Sequence, residues 1–176
     1  MSRMLGLVII LFFLMGLDLY SKEYPSITRV GKITSVVDGD TVKIRSMGKR
    51  KTVKFRVAGI DTPESVRNEK LCKQVYECRV KHTILRRLGK DAKKYLASRI
   101  TKNKPFIYDE YPPGYFGRPI IYFKNHIIED LVSKGYAQVY RGSKLNPVIM
   151  DRLYRLEKQA RKNKLGIWKY ISKPCL

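Results

Sequence analysis

Residues 26–61 carry the clearest structural pattern in the chain: SITRVGKITSVVDGDTVKIRSMGKRKTVKFRVAGID. Along this stretch β-branched and apolar residues alternate with polar ones, as they do in half-buried strands. Asp-Gly and Met-Gly pairs interrupt the alternation, and glycine-containing pairs of this kind are typical of tight turns. The stretch therefore predicts three consecutive antiparallel strands, near residues 27–37, 40–47 and 51–60.

Helical periodicity follows these strands. Apolar residues recur at spacings of three and four in the first predicted helix: Leu85, Leu88, Ala92, Leu96 and Ile100. Gly89 leaves the start of this helix open, because glycine weakens a helix interior. A brief helix, IIEDLVSKG, is expected to end at Gly135. The last helix begins with Asn146 as N-cap and Pro147 in its first turn, and its buried stripe is predicted as Ile149, Leu153, Leu156 and Ala160.

Two further short strands complete the predicted architecture, KPFIYDEY at 104–111 and RPIIYFKN at 118–125. Five strands with about three helices packed on them fit an α+β fold, a small closed barrel of the oligonucleotide-binding (OB) type. A chain of 176 residues matches one domain, here residues 22–176 behind a leader at 1–21. The barrel by itself implies no activity.

Acidic residues are sparse, 15 Asp plus Glu against 37 Lys plus Arg, yet four of them form two small clusters, in VVDGDTV and VAGIDTPES. If the second and third strands form a hairpin that turns at Gly48 and Lys49, Asp40 lies level with about residue 57. Asp61 then lies just past the same end of the ribbon, and Thr62 adds a carbonyl or hydroxyl oxygen. Oxygen ligands suit a hard cation such as Ca²⁺ or Mg²⁺, so the pattern predicts a metal site at Asp40, Asp61 and Thr62.

Each motif also has an ordinary interpretation. Asp38-Gly39 is a common hairpin pair, and Asp-Thr-Pro-Glu is a common turn and helix-start sequence. Arg56 taken alone is a strand residue that faces solvent, and Gly117-Arg118 taken alone is a turn before a strand. The functional interpretation therefore depends on their combination.

The charge of the chain predicts an anionic partner. The formal net charge is +22 and the sequence pI is near 10.1. Nucleic acid, an anionic membrane surface and an acidic polysaccharide all fit, because each offers dense negative charge and releases counterions on binding. The hydrophobic fraction of 44% is ordinary for a globular protein, so the high charge does not indicate disorder.

The N-terminus, MSRMLGLVIILFFLMGLDLYSK, has the layout of a signal peptide: one Arg, an apolar run from Met4 to Leu17, then polar residues. This run is shorter than the about 20 residues that a membrane span needs. We expect residues 1–21 to direct export to a secreted or periplasmic, cell-envelope location. An uncleaved leader would instead anchor the protein to a membrane.

Three cysteines are present, Cys72, Cys78 and Cys175. In an oxidising compartment Cys72 and Cys78 could bridge, or Cys175 could tie the C-terminus to either one. Residues six apart on one helix face different directions, so a Cys72–Cys78 bond requires a non-helical segment. A zinc site of Cys72, Cys78 and His82 lacks a clear fourth ligand.

Three motifs in order carry a family resemblance: DGDTV with Asp40, FRVAGIDTPE with Arg56, Asp61 and Glu64, and FGR with Arg118. Together they resemble the signatures of the staphylococcal nuclease (thermonuclease-like) family. The resemblance continues through GKDAKKYLASRI, EDLVSKGYAQV and LEKQARKNKLGIW, so it covers nearly the whole chain after the leader.

The resemblance implies a role for each matched position. Those matching Asp40, Asp61 and the Thr62 carbonyl hold a calcium ion in the family. Glu64 matches the general base that activates the attacking water. The predicted catalytic residues are Arg56, Glu64 and Arg118, of which the two arginines grip the scissile phosphate; guanidinium groups suit this planar, bidentate contact.

Substrate contacts are predicted at Tyr115, beside the FGR motif, and at Tyr140 and Arg141, near the base-stacking tyrosine of the family. Relative to the family, about a dozen extra residues lie within a basic, cysteine-containing insert at about 65–88. This insert is interpreted either as a basic rim that follows the nucleic-acid backbone, with Arg86 and Arg87, or as a solvated surface excursion pinned by a disulfide.

Three functions remain open from the sequence. The first is an exported, calcium-dependent nuclease that acts on DNA and RNA with low sequence specificity, as a monomer without a stable protein partner. The second is a non-catalytic basic OB-fold module that binds nucleic acid. The third is a cationic protein that binds membranes or acidic glycans, for which the acidic clusters would be incidental.

Overall fold

The computed structural model describes residues 25–114 and 117–176. Five strands form a closed barrel: β1 (Ile27–Asp38), β2 (Thr41–Ser46), β3 (Val53–Val57), β5 (Pro105–Tyr111) and β6 (Ile120–Phe123). Two short strands, β4 (Ile60–Asp61) and β7 (Gln138–Val139), pair antiparallel beside it. The described ranges also contain α1 (Glu69–Cys78), α2 (His82–Arg99), α3 (Ile127–Ser133), α4 (Pro147–Lys162) and a 3-10 helix at Gly166–Lys169.

The predicted α+β class and five-stranded barrel are confirmed, in the order β1, β2, β3, β6, β5. The barrel closes because the long strand β1 pairs with both β2 and β5. The β1–β2 register shifts at two places, as it does at β-bulges, which are common in small barrels. The β3–β6 pair is parallel, and the other barrel pairs are antiparallel.

The hairpin register that the acidic clusters depend on is confirmed. Thr41 lies opposite Arg56 across the β2–β3 pair. The Val57 N–H donates to the Asp40 carbonyl at 2.8 Å, so Asp40 is level with residue 57. At the far end of the hairpin Gly48 has φ +75°, where glycine is favoured, and the Lys49 N–H donates to the Ser46 carbonyl.

The helices agree with the prediction in position but not in number. Asn146 caps α4 through Val148 N, with Pro147 in the first turn, and Gly135 follows α3 with positive φ. The predicted α4 stripe is partly corrected, because Met150 and Glu157 are buried beside Leu153 and Ala160, whereas Ile149 and Leu156 are only partly buried. The expectation of about three helices is wrong for the described residues, which contain four α-helices.

The additional helix is α1, within the segment interpreted as an insert. Asn68 caps it by accepting a hydrogen bond from Leu71 N at 2.8 Å. A second hydrophobic core forms beneath it, separate from the main core between the barrel, α3 and α4: Leu71, Cys78, Val80, Leu85, Leu88, Ala160, Ile167 and Trp168. The insert is therefore folded into the domain, and it is neither only a rim nor a solvated excursion.

A disulfide joins Cys78 at the end of α1 to Cys175 near the C-terminus. Cys72 is free and exposed. The structure thus selects the bond from Cys175 to Cys78, and it excludes the zinc alternative because Cys78 has no thiol to offer. The predicted signal peptide at 1–21 lies outside the described residues. Among the residues that are described, no helix combines the length and the apolar character needed to cross a membrane.

Candidate active site

The two acidic clusters meet at one end of the barrel. Asp40 ends the tight turn between β1 and β2. Asp61 is the last residue of β4, the short strand that follows β3. The β2–β3 register brings the two together, because Asp40 precedes Thr41, the partner of Arg56. Both carboxyl side chains are buried, with side-chain exposures of 3% and 10%. The structure therefore brings together predicted site residues that lie 21 positions apart in sequence.

Arg56 links the two aspartates. Its Nη1 lies 3.0 Å from Asp40 Oδ2, and its Nη2 lies 3.2 Å from Asp61 Oδ1. Nη2 also donates to the Ile60 carbonyl at 3.1 Å. Burial would lower the pKa of Arg56, but the charges of Asp40 and Asp61 raise it, so the guanidinium stays charged. Arg56 is therefore part of the site rather than a solvent-facing strand residue.

Asp40 is held as a carboxylate. The Thr41 hydroxyl donates to its Oδ1 at 2.8 Å, and the Thr62 N–H lies 3.4 Å from its Oδ2. Burial acts to raise the pKa of Asp40, but the charges of Arg56 and Lys70 outweigh burial and lower it.

Two neighbouring carboxyl groups are shifted the other way. Burial raises the pKa of Asp61; the nearby charge of Asp40 adds to this effect, and the ammonium of Lys70 opposes it. Burial and the charge of Glu64 raise the pKa of Asp38. The site therefore concentrates negative charge in a poorly solvated place, which favours the binding of a further cation.

Gln74 on α1 fixes the loop that follows Asp61. Its Nε2 donates to the Thr62 carbonyl at 3.1 Å, and its Oε1 accepts from the Glu64 N–H at 2.9 Å. Ser65 N lies 3.4 Å from Asp38 Oδ2 on the other side of the same loop. Gln74 is 2% exposed, so this clamp is screened from water.

Glu64 projects from this loop toward α1. The Asn68 amide donates to Glu64 Oε2 at 2.8 Å, and Lys70 Nζ lies 2.8 Å from Glu64 Oε1. The same Nζ lies 2.8 Å from Asp61 Oδ1 and 3.9 Å from Asp40 Oδ2. The general-base candidate and the two metal-ligand candidates therefore surround one point, which the Lys70 ammonium occupies.

The donor atoms here fit a hard cation. Asp40 and Asp61 supply carboxylate oxygens that already contact two cationic groups, Arg56 and Lys70. The Thr62 carbonyl uses one lone pair on Gln74 and has a second to offer. Over residues 25–114 and 117–176, no three Cys, His, Asp or Glu side chains are arranged as a metal cluster. The cation that contacts these carboxylates is the Lys70 ammonium. Oxygen-only donors of this kind suit Ca²⁺ or Mg²⁺.

The main chain of Arg118 lies close to that of Arg56 in space, because the segment after Arg118 pairs with β3. The Pro119 carbonyl accepts from the Arg56 N–H at 3.0 Å, and Arg56 pairs with Ile120 across β3 and β6. The main chain of Arg118 therefore reaches the barrel beside Arg56, and its side chain is half-buried. Tyr115 lies outside the described residues.

Tyr140 and Arg141 follow β7 and differ in their surroundings. Tyr140 is 45% exposed, and the Arg56 guanidinium carbon lies 5.7 Å from the centroid of its ring. Arg141 contacts both carboxylate oxygens of buried Glu157, which also accepts from Val139 N at 2.7 Å. Tyr140 therefore borders the site, whereas the Arg141 guanidinium is engaged in a structural ion pair.

Three residues of the site were missed from the sequence: Asn68, Lys70 and Gln74. All lie at the start of α1 or on it. A signal was present, since Asn68 is a favourable N-cap and Leu71, Val75 and Cys78 recur at helical spacing behind it. That pattern predicts the helix, but not which of its polar side chains turns toward the carboxylates.

The protein is therefore an α+β protein with a closed OB-type barrel. At one end of the barrel, grouped carboxylates suit a cation and a charged arginine suits a phosphate. The chain belongs to the staphylococcal nuclease homologue family, whose signature matches residues 54–170. Asp40 and the first two strands precede the matched region.

Named relatives extend the similarity. A functionally uncharacterized protein of Bacillus anthracis is 29% identical over 157 residues, covering 86% of this chain and 66% of the relative. Thermonuclease of Staphylococcus hyicus is 29% identical over 143 residues, with 78% and 74% covered. Endonuclease Htp3 of Saprolegnia parasitica is 26% identical over 161 residues, with 78% and 69% covered. The matches thus span about two thirds to three quarters of each relative's length.

Proposed function

We propose that this protein is an exported, calcium-dependent nuclease that hydrolyses phosphodiester bonds of DNA and RNA with little sequence preference. Family membership and the names of two relatives, thermonuclease and endonuclease, support phosphodiester hydrolysis. The observation that carries the proposal is the convergence of Asp40, Asp61 and Glu64 around one cation position beside Arg56.

Glu64 is the proposed general base. Its backbone is fixed by Gln74, and its carboxylate is held by Asn68 and Lys70, so it has a defined position at the edge of the site. In this role the carboxylate orients a water molecule and accepts its proton as the water attacks phosphorus. A base held in place contributes more than a mobile one, because the reacting geometry is already set.

Arg56 and Arg118 are the proposed phosphate ligands. Attack on a phosphodiester builds negative charge on the phosphate oxygens, and fixed guanidinium groups stabilise that charge. A guanidinium has five N–H groups, and the contacts of Arg56 with Asp40, Asp61 and Ile60 use three of them. The remaining two leave Arg56 able to donate to a phosphate without releasing the aspartates.

Asp40, Asp61 and the Thr62 carbonyl would hold calcium. When bound, the ion would polarise the phosphoryl group and help to neutralise its developing charge. Two carboxylates and a carbonyl also suit magnesium, so the choice of calcium rests on the family resemblance.

The basic surface and an exposed aromatic ring favour a polynucleotide substrate. A net charge of +22 attracts a phosphate backbone of any sequence. Tyr140, 45% exposed beside Arg56, offers a ring on which any base can stack. Neither feature reads base edges, so low sequence specificity is expected. The Arg141 guanidinium is engaged with Glu157, so its role in substrate binding, like that of Tyr115, stays a prediction from sequence.

Export is supported by two features. The leader pattern at residues 1–21 predicts secretion, and the Cys78–Cys175 disulfide suits an oxidising compartment. A secreted or periplasmic enzyme acting as a monomer, without a stable protein partner, is the expected form.

Plasmid cleavage tests the proposal most directly. The protein would be incubated with plasmid DNA and with RNA in calcium, in magnesium and in excess chelator. A Glu64→Gln variant is expected to cleave about 10²- to 10⁴-fold more slowly than the unmodified protein in calcium, the range for loss of a general base. Glu69→Gln makes the same chemical change at an exposed position of α1 and should leave the rate unchanged.

Other outcomes would select the alternatives. Tight DNA binding without cleavage in any metal would replace the nuclease by a non-catalytic OB-fold module. Absence of any thermal stabilisation by calcium, together with weak DNA binding, would favour the cationic surface-binding protein, because a ligand that binds the native state raises its stability.

A further inference from the structure

The Lys70 ammonium lies where a metal ion would be expected. Its Nζ is 2.8 Å from both Asp61 Oδ1 and Glu64 Oε1, and 3.9 Å from Asp40 Oδ2. These three oxygens come from two separate segments of the chain, one before β2 and one after β3. Lys70 itself comes from α1, so the cation that joins them belongs to a third segment.

The charges of the cluster explain why a cation is needed there. Asp40, Asp61 and Glu64 face two cationic groups, Arg56 and Lys70. Three carboxylates against two cations leave the cluster negative. Without Lys70 the excess would be larger in a place where the two aspartates are almost fully shielded from water, and unpaired buried charge is costly.

A dication can supply more positive charge than the ammonium at the same point. If a divalent ion replaced Lys70, it and Arg56 would balance the three carboxylates. If the ion entered while the ammonium stayed, two cations would lie within a few ångströms of each other in a region of low dielectric, which is unfavourable. Replacement is therefore favoured over joint occupancy.

The side chain of Lys70 can leave while its helix stays in place. The side chain is 39% exposed, and its flexible stem can carry the ammonium to solvent. The helix is fixed elsewhere, by fully buried Leu71, by the Gln74 clamp on the Thr62–Glu64 loop and by the Cys78–Cys175 disulfide. Exchange of the cation therefore requires only one side chain to move.

We propose that Lys70 is the resident cation of this carboxylate cluster in the metal-free protein, and that a divalent ion binds by displacing its ammonium. This inference rests on the proposed metal site at Asp40 and Asp61. It makes Lys70 a determinant of metal affinity: the ammonium keeps the empty cluster assembled, and it also competes with the metal for the same oxygens.

Calorimetric titration with Ca²⁺ and with Mg²⁺ tests the competition without measuring catalysis. If the ammonium occupies the cluster in nine of ten molecules, its removal should tighten calcium binding about tenfold, because apparent affinity scales with the competent fraction. Lys70→Met removes the ammonium and keeps the stem. Lys73→Met makes the same change one turn along α1, where the side chain is 73% exposed and pairs with Glu77; its calcium affinity should match that of the unmodified protein.

Thermal unfolding supplies a second readout. In chelator Lys70→Met should melt below both the unmodified protein and Lys73→Met, because three carboxylates then lie together with only Arg56 to balance them. Added calcium should raise the melting temperature of Lys70→Met more than that of the other two proteins, since tighter binding to the native state stabilises it further. Lys70→Gln would replace Lys70→Met if the latter did not fold in chelator.

The outcomes separate this inference from the proposed function. If both Lys70 variants bind calcium no more tightly than the unmodified protein does, the proposal that Lys70 competes with the metal is refuted, and the proposed metal site is not. If neither the unmodified protein nor the two variants bind calcium or magnesium, both proposals are refuted: the displacement of Lys70 by a metal ion and the metal-dependent nuclease activity. Equal tightening in the Lys70 and Lys73 variants would show a general charge effect, and that also refutes displacement.

Discussion

Gly89 on α2 lies directly behind the loop that carries Glu64, so a side chain added at this position would push the loop and the helix apart. A methyl carbon at Gly89 would lie 2.5 Å from the Pro63 carbonyl oxygen and 2.6 Å from both the carbonyl carbon and oxygen of Glu64. Ordinary contact begins at 3.4 Å, and these are backbone atoms that cannot rotate away. In Gly89→Ala the loop or the helix must therefore retreat by about 0.8 to 0.9 Å, which follows from these distances.

The expected effect on stability is small because two terms oppose each other. Overpacking a tight contact costs about 1–3 kcal/mol, whereas Ala in a helix interior is favoured over Gly by about 1 kcal/mol. The net loss is about 0–2 kcal/mol, or a melting temperature lower by about 0–8 °C for a domain of this size. The expected effect on rate is larger: a displacement near 1 Å of a catalytic group can cost about 10²-fold.

Plasmid cleavage and thermal unfolding would be measured side by side for Gly89→Ala and Gly48→Ala. Gly48 lies in the β2–β3 turn with φ +75°, and apart from its two chain neighbours no atom of the described residues lies within 4 Å of an added methyl group. Gly48→Ala should lose about 1 kcal/mol from backbone strain alone and keep its activity. Unchanged cleavage by Gly89→Ala would refute the idea that α2 positions Glu64, and equal activity losses in both variants would show that the loss follows stability.

Two further predictions concern α1 and the start of α2. The partners of the Cys78–Cys175 bond are 97 residues apart, so by the loop-entropy relation its reduction should lower the free energy of unfolding by roughly 4–5 kcal/mol and the melting temperature by roughly 10 °C or more. Cys72→Ser should change the melting temperature little. A reduced protein that melts at the same temperature as the oxidised one would contradict the pairing. If Arg87 contacts one phosphate, Arg87→Ala should reduce the size of the negative slope of log K against log salt for DNA binding by about 1. Arg50→Ala, in the turn at the opposite end of the hairpin, should leave the slope unchanged. An unaltered slope for Arg87→Ala would refute the basic-rim interpretation.

The hairpin that builds the site could be predicted from the sequence because its information is local. Alternation along β2 and β3 determines which side chains face inward, and a slip of one residue would reverse every one of them. With the turn at Gly48, this fixes Asp40 beside residue 57, as observed. The motifs around Asp61 and Arg56 could be placed by the same counting, and the structure brings both to Asp40.

The contribution of α1 could not be predicted in the same way. Only Leu71, Val75 and Cys78 mark its buried face, and basic residues around them give the segment the character of a charged insert. Lys70 is one of 37 lysines and arginines in the chain. Which of them meets the carboxylates is decided by how α1 packs on α2 and on the C-terminal segment, and that packing is long-range information.

The two halves of the site have different mechanical supports, and this bears on how binding and cleavage could separate. Arg56 stands on β3, and Asp40 ends the tight β1–β2 turn with its carbonyl bonded to Val57 N of β3, so both are held by the barrel strands. Glu64 stands on a loop whose position depends on Gln74 and on the absence of a side chain at Gly89. Loss of the α1 and α2 contacts would leave the barrel half able to attract a phosphate while the base lost its place. A non-catalytic nucleic-acid-binding protein could therefore arise from this fold without any change to Asp40, Arg56 or Glu64, through loss of the helix contacts that position the base.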